Sequence, residues 1–308
     1  MDLASGHASM RSRLRRAFHA GLSLPHGTEA HLAGALRDTL QHPGSMVRAE
    51  LAFRIACSFG VTDDRSENLA IAIEYFHTAS LLFDDLPSMD DASLRRGVPC
   101  AHHVYGEGAA ILAALALINR AYSLVWKSLA GLPAEVQAAA LTYLERHLGV
   151  AGLLNGQSQD LNYSRLSHHL REPQSIAMGK TVSLIRLALV LPAIAGQARG
   201  EETHLLERLA IFWGLSYQTL DDLKDVLHTG EVHGKTAARD ATLDRPNLAI
   251  SIGIPESFDR IDRLMNLAGR AIARLDRRRP RLAFLREVRV QFKKEIANLS
   301  EASLTRAS

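Results

Sequence analysis

The sequence predicts an all-α protein, and three observations carry that expectation. Hydrophobic residues recur at three- and four-residue spacings along nearly the whole chain, which is the period of an amphipathic helix. Runs of β-branched residues that alternate with polar ones between turn signals, the mark of strands, are absent. Pro25, Pro43, Pro87, Pro133, Gly200, Gly230 and Pro255 then cut the chain into segments of helical length.

Taken in order, the first 25 residues read as a flexible lead-in. There Arg11, Arg13, Arg15 and Arg16 would form a solvated helix face, rather than a membrane-surface helix, over a thin apolar stripe of Leu3, Met10, Leu14 and Phe18. Between the breakers, helices are expected over 28–40, 44–59, 65–86, 105–130, 134–164, 172–197, 202–228, 256–276 and 281–299. The segment 105–130 contains the run Ala109 to Ile118, apolar nearly all round, and is expected to be central and buried. The segment 134–151 alternates apolar with polar faces and belongs outside. Trp126 and Trp213 lie on apolar helix faces and are expected in the core.

A chain of 308 residues with 47% hydrophobic and 22% charged residues, and no low-complexity tract or linker, fits one large helical domain spanning 1–308. The net charge of +3 is dispersed, apart from short basic clusters, so a nucleic-acid partner is not expected. Cys57 and Cys100 are too few for a disulfide framework and lack zinc spacing, which suits a reducing, cytoplasmic setting. The richest apolar runs are interrupted by Asn119, Arg120, Lys180 or Arg186, so no stable membrane insertion is expected.

The residues that carry chemistry are acidic. Asp84 and Asp85 follow the largely apolar run Ile71 to Phe83, and Asp90 and Asp91 follow at once. Two carboxylates about 4 Å apart repel by about 1 kcal/mol in water and about 4 kcal/mol at an effective dielectric of 20, so such a group calls for a cation. Pro87 should end the helix just past Asp85, and the next loop can bring Asp90 back toward the pair. A second set, Asp221, Asp222 and Asp225, closes the apolar segment Leu209 to Leu220 at helical spacing, with Asp221 and Asp225 one turn apart. Either set alone is an ordinary solvated helix end. Two sets, each after a buried helix, point to hard divalent ions that keep coordination positions open for a diphosphate. Lys180 stands between Ile176 and Leu184 in an apolar helix, where an unpaired ammonium is costly, so a carboxylate or an anionic ligand should meet it.

These residues occur in an ordered series. Phe76 and His77 precede Asp84, Asp85, Asp90, Asp91, Arg95, Arg96 and Gly97. Pro99, His102 and Tyr105-Gly106-Glu107 follow, then Gly156-Gln157, Asp160-Leu161, Gly179-Lys180-Thr181, Gln218, Asp221, Asp222, Asp225 and Gly234-Lys235. From about Pro43 to Ile252 the series resembles the trans-isoprenyl diphosphate synthases, the polyprenyl synthetase family. The resemblance implies a helical bundle around a central cavity, a homodimer, and a trinuclear magnesium site, open to manganese as a substitute, on Asp84, Asp85, Asp90, Asp221, Asp222 and Asp225. It further implies that Arg95, Lys180, Thr181, Gln218 and Lys235 contact an allylic diphosphate. Arg48, His77 and Arg96 would hold isopentenyl diphosphate. Asp84, Asp85, Lys180, Asp221 and Asp222 would then carry catalysis. The small residues Ala79 and Ser80, five and four positions before Asp84, would form a chain-length floor that admits a long product. In that respect the chain is similar to bacterial geranylgeranyl diphosphate synthases, with a C20 product.

The pattern breaks at Pro43-Gly44-Ser45-Met46-Val47-Arg48. Ser45 and Met46 stand where the family has basic residues, and only Arg48 remains. Losing two charge-assisted phosphate contacts costs about 1.5–3 kcal/mol each. Arg245 likewise stands where many relatives have a lysine. Other readings therefore stay open: a class I terpene synthase acting on one allylic diphosphate, a farnesyl diphosphate synthase, or a non-catalytic partner subunit. Two complete aspartate sets and Lys180 argue against the last.

Overall fold

The computed structural model describes residues 3–166, 172–227 and 245–307. The described chain is almost entirely helical and divides into two compact units, one up to Ala138 and one from Ala139 onward.

The first unit opens with α1, Leu3–Ala20, so the segment expected to be a flexible lead-in is a helix. Its cause is the thin apolar stripe. Leu14 and Phe18 are fully buried, Phe18 meets the Tyr75 ring edge-on at 4.9 Å, and the Tyr75 hydroxyl donates to the Phe18 carbonyl at 2.6 Å. Arg13 adds bonds to Glu67 at 2.6 Å and Asp63 at 2.9 Å. The next helices are α2 (Ala30–Gln41), α3 (Val47–Ser58) and α4 (Asp63–Asp84). Among the described residues the one departure from all-α is a minimal antiparallel hairpin, β1 Leu94–Arg95 with β2 Val98–Pro99. Its two-residue turn puts Arg96 at φ 55° and Gly97 at φ 80°, the signs a type I′ hairpin turn demands. The strands are two residues long, too short to show an alternating pattern in the sequence.

The short α5 (Ala101–Tyr105) leads into α6 (Glu107–Leu129), which packs along α4. Ala110, Ala113, Ala114, Leu117, Ala121, Leu124 and Val125 form the buried face of α6, where the small residues permit close approach. The other face is left open by the described residues. Ile111, Leu112, Leu115, Tyr122 and Trp126 are exposed, Leu112 at 53% and Trp126 at 60%. The expectation of a wholly buried central helix, with Trp126 in the core, is corrected here: all-round apolarity signals a second covered face without saying which molecule covers it.

The segment expected as one helix over 134–164 is two, α7 (Ala134–Leu148) and α8 (Leu153–Leu161), broken at Gly149 and Gly152. In the second unit α9 (Pro173–Ala177) passes into a π-helical turn, Met178–Val182. Two short helices follow, α10 (Ser183–Leu189) and α11 (Leu191–Ala195). Then come α12 (Gly200–Leu227), α13 (Leu248–Ile252), α14 (Ile254–Arg278) and α15 (Phe284–Ala307). Helix α12 packs on α14, whose Ile261, Met265, Ala268, Ile272 and Leu275 form a buried stripe at helical spacing. Trp213 is in the core, as expected. The segments Glu107–Leu129 and Pro173–Ala195 are long and apolar enough to cross a bilayer by length and composition, and the second is mostly buried within the fold.

Candidate functional site

In the first unit the acidic set sits where α4 stops. Asp84 is the last residue of α4 and Asp85 its cap. The loop then turns back: the Asp90 N–H donates to the Asp84 carbonyl at 2.9 Å, and the Ala92 N–H to the Asp85 carbonyl at 3.1 Å. This places Asp90 beside the pair, both Asp84 and Asp90 half-buried and Asp85 buried. Arg95, aimed by the hairpin, donates from Nε to Asp85 at 2.8 Å and also from Nη2. Asp85 is thus charge-compensated by the protein.

The three residues expected around isopentenyl diphosphate come together in the same unit. Arg48 Nη1 lies 3.1 Å from His77 Nε2, and since guanidinium only donates, His77 accepts there and carries its proton on Nδ1. Arg96 donates to the His42 carbonyl at 3.2 Å and covers Gly44, where an added Cβ would lie 2.2 Å from the guanidinium carbon. Beneath them is an acid the sequence reading missed. Glu74 is buried on α4, accepts the Ala49 N–H at 3.1 Å, and has its pKa raised by burial against the opposing pull of Arg48 and Arg96. Its signal was available, a glutamate three residues before His77 inside an apolar run. Ala79 is fully enclosed, whereas Ser80 is half-buried and donates its hydroxyl to the His77 carbonyl at 2.8 Å.

In the second unit two glycines set the geometry. A Cβ on Gly156 would lie 2.3 Å from the Lys180 nitrogen, and one on Gly179 would lie 2.8 Å from Gly156 Cα, so α8 crosses the π turn at a glycine-to-glycine contact. There Lys180 Nζ meets Asp160 Oδ2 at 2.7 Å. The extra residue of the π turn also presents Thr181, whose hydroxyl donates to the Gln218 side-chain oxygen. Gln218 Nε2 donates to Asp222 Oδ1 at 2.8 Å, and the other Asp222 oxygen accepts the Leu248 N–H at 2.9 Å. Asn247, buried and capping α13, donates to the Asp222 carbonyl at 3.2 Å. Sequence reasoning missed Asn247 as well, although an Asn before Leu248-Ala249-Ile250 is an N-cap signal.

The result is a division of labour. Asp222 is buried and doubly held, and both ends of the Gln218 amide are taken within the unit, so Gln218 positions Asp222 in this structure. Asp221 and Asp225, one turn apart and half-buried, make no hydrogen bond or ion pair among the described residues. Lys235 lies outside the described residues.

These donors suit magnesium. No three acidic, histidine or cysteine side chains among the described residues converge as a complete protein cage. Magnesium takes one or two carboxylates and fills its octahedron with water and phosphate oxygens. The paired, oxygen-only, half-buried sets fit that habit.

A sequence profile described as polyprenyl synthetase matches residues 29–277, most of the chain. The chain belongs to the polyprenyl synthetase family. Among family members, geranylgeranyl pyrophosphate synthase 7, chloroplastic, of Arabidopsis thaliana is 34% identical over 268 residues, covering 86% of this chain and 76% of that one. The heterodimeric geranylgeranyl pyrophosphate synthase large subunit 2 of the same plant is 34% identical over 245 residues, 79% of this chain, and the match spans 65% of that relative's length. The crystal structure of a geranyltransferase from Helicobacter pylori, complexed with magnesium and isoprenyl diphosphate, superposes with a TM-score of 0.80. The superposition covers 96% of this chain and 97% of the other at 23% identity, which establishes the all-α isoprenoid synthase fold.

Proposed function

We propose that this chain is a trans-prenyltransferase that condenses isopentenyl diphosphate with allylic diphosphates, ending at geranylgeranyl diphosphate. The observation that carries the reading is the pair of aspartate sets, each closing a buried helix, with Arg95 held on Asp85 and with Lys180 next to Thr181, which is linked through Gln218 to Asp222. The similarity to synthases named for the C20 product supports the product length. The family profile runs through both compact units, which supports one functional domain over the whole chain.

Asp84, Asp85, Asp90, Asp221, Asp222 and Asp225 would hold three magnesium ions, with manganese as a substitute. When bound, the ions neutralise the allylic diphosphate and stabilise the charge that grows on it as it leaves. Lys180 adds a positive charge that Asp160 holds in place, and Arg95 does the same from the Asp85 side. Arg48 and Arg96 fix the second diphosphate, with His77 oriented by Arg48. Departure of diphosphate leaves an allylic cation, the double bond of isopentenyl diphosphate attacks it, and the proton lost in restoring the double bond passes to the departed diphosphate. Water must be kept out while the cation lives. Ser80, the accessible member of the small pair, sets how far the product extends, so Ser80→Phe should shift the main product from C20 to C15 in a product-length assay.

Purified protein with magnesium, isopentenyl diphosphate and dimethylallyl, geranyl or farnesyl diphosphate, analysed by mass spectrometry, tests the reading. Prenyl diphosphates ending at C20 are expected, and an end at C15 would make it a farnesyl diphosphate synthase. One observation favours a second reading. Met46 is fully buried and Ser45 is neutral, so the two positions that carry basic groups in the family supply none here. Hydrocarbons or alcohols made from an allylic diphosphate alone would establish a class I terpene synthase instead. We also propose a homodimer, supported by the uncovered apolar face of α6.

A further inference from the structure

We propose that Arg15, on the amino-terminal helix, is a diphosphate-binding residue of the isopentenyl site, replacing the charge lost at Ser45 and Met46. This rests on the functional reading above but stands on its own geometry. Met46 opens α3 in a left-handed conformation, φ 59°, with its side chain fully buried, so this position points into the core. Ser45 is exposed and uncharged. The cation arrives from another element. Arg15 Nη2 donates to the Gly44 carbonyl at 3.0 Å, while the Arg96 guanidinium covers the α-carbon of the same glycine and Arg48 stands four residues on.

Two guanidiniums therefore meet at one glycine, and the helix that follows it carries a third, which reaches His77. Glu74 answers Arg48 and Arg96 from below. Arg15 has no carboxylate partner among the described residues; it is exposed, and its one bond is to a neutral carbonyl. Its neighbours on α1 are different, since Arg11 pairs with Glu50 and Arg13 with Asp63 and Glu67. An uncompensated guanidinium beside another is repulsive until a multiply charged oxyanion joins them. Gly44, at φ 69°, keeps the approach open, because a side chain there would be strained and would displace the Arg96 guanidinium.

The test is calorimetric binding of isopentenyl diphosphate to the full chain in magnesium-free buffer, where the aspartate sets cannot hold diphosphate through metal. The proteins compared are the parent, Arg15→Gln, Arg15→Lys and Arg16→Gln, with melting temperatures measured alongside. Loss of one charge-assisted contact predicts binding weakened at least tenfold in R15Q, most of it recovered in R15K, and parent-like binding in R16Q. In turnover, R15Q should raise KM for isopentenyl diphosphate while KM for the allylic substrate and kcat stay as in the parent. Undiminished binding in R15Q, with or without a lower melting temperature, would reduce Arg15 to a tether for the loop and overturn the proposal. So would equal weakening in R16Q, which would show a diffuse charge effect, or a parent that binds no isopentenyl diphosphate. A parent that binds it but elongates nothing would sink the synthase reading and leave Arg15 to be judged on the binding series.

Discussion

At the scale of single residues, the second acidic set separates charge that is free to act from charge that is held. Asp221 makes no hydrogen bond or ion pair among the described residues, so Asp221→Asn should lower kcat by about 10²- to 10³-fold with the melting temperature unchanged. Asp222→Ala should lower both, because it leaves the Gln218 amide and the Leu248 N–H without an acceptor, at roughly 1–3 kcal/mol per stranded group. Thermal melts beside steady-state rates distinguish the two. A second residue-level prediction concerns His147, which packs on Tyr143 at 4.4 Å near Arg186, Arg146 and Glu207. Burial, followed by the charge of Arg186, lowers its pKa from 6.5 to about 4. The folded state thus binds its proton less readily than the unfolded state. The stability it contributes is complete above pH 6.5 and is lost as pH falls toward 4. Denaturation midpoints across that window should fall less steeply in His147→Gln than in the parent. Residues of this kind show how far the sequence was legible. Lys180 and the aspartates announced themselves by costing energy in apolar runs. Glu74 and Asn247 carried weaker signals of the same kind, an acid in an apolar run and a cap before a helix, but what each holds is set by partners that the fold alone brings near.

At the scale of elements, the helical period located nearly every segment but missed where helices interrupt themselves. Residues 134–164 kept their period across Gly149 and Gly152, yet the backbone breaks there so that α8 can cross the π turn. The segment 172–197 reads as one helix because a π turn inserts one residue without disturbing hydrophobicity. That insertion is what presents Lys180 to Asp160 and Thr181 to Gln218 together. The crossing depends on Gly156, where a methyl group would stand 2.3 Å from a backbone nitrogen that cannot move without the turn moving. Gly156→Ala should therefore destabilise the protein by about 1–3 kcal/mol or more and displace Lys180, lowering kcat/KM beyond what the stability loss explains at assay temperature. Urea denaturation and kinetics at a temperature well below the melting point would check both parts. Unchanged stability would mean that α8 and the turn are not in contact through these glycines.

At the scale of the whole molecule, fold class and family were legible because both depend on long-range statistics of the chain, the helical period and the order of its motifs. The amino-terminal segment was legible as a solvated helix face but not as an anchored element, because its anchors are two side chains, Leu14 and Phe18, of a stripe that is thin in sequence. Helix α6 failed in the opposite direction. Its apolarity was read as central burial, while the structure covers one face and leaves Ile111, Leu112, Leu115, Tyr122 and Trp126 along the other. Five large apolar side chains on one helical stripe are more than a lone soluble chain leaves in water without cause. A second copy of the same helix would cover them through a self-complementary contact about a two-fold axis. Because Leu115 is half exposed and Trp126 more so, while Tyr122 is left in its edge-on contact with Phe76, charging the first two should spare the fold. Leu115→Glu with Trp126→Glu would place like charges from both copies in one apolar contact, a desolvation and repulsion penalty with no compensating partner. Light scattering coupled to gel filtration should give two chains for the parent and one for the double variant, with the helical signal and melting cooperativity of each chain retained. A parent of single-chain mass at micromolar concentration would remove the homodimer and leave the stripe to a different polypeptide, the arrangement that the heterodimeric large-subunit relative makes the next to test.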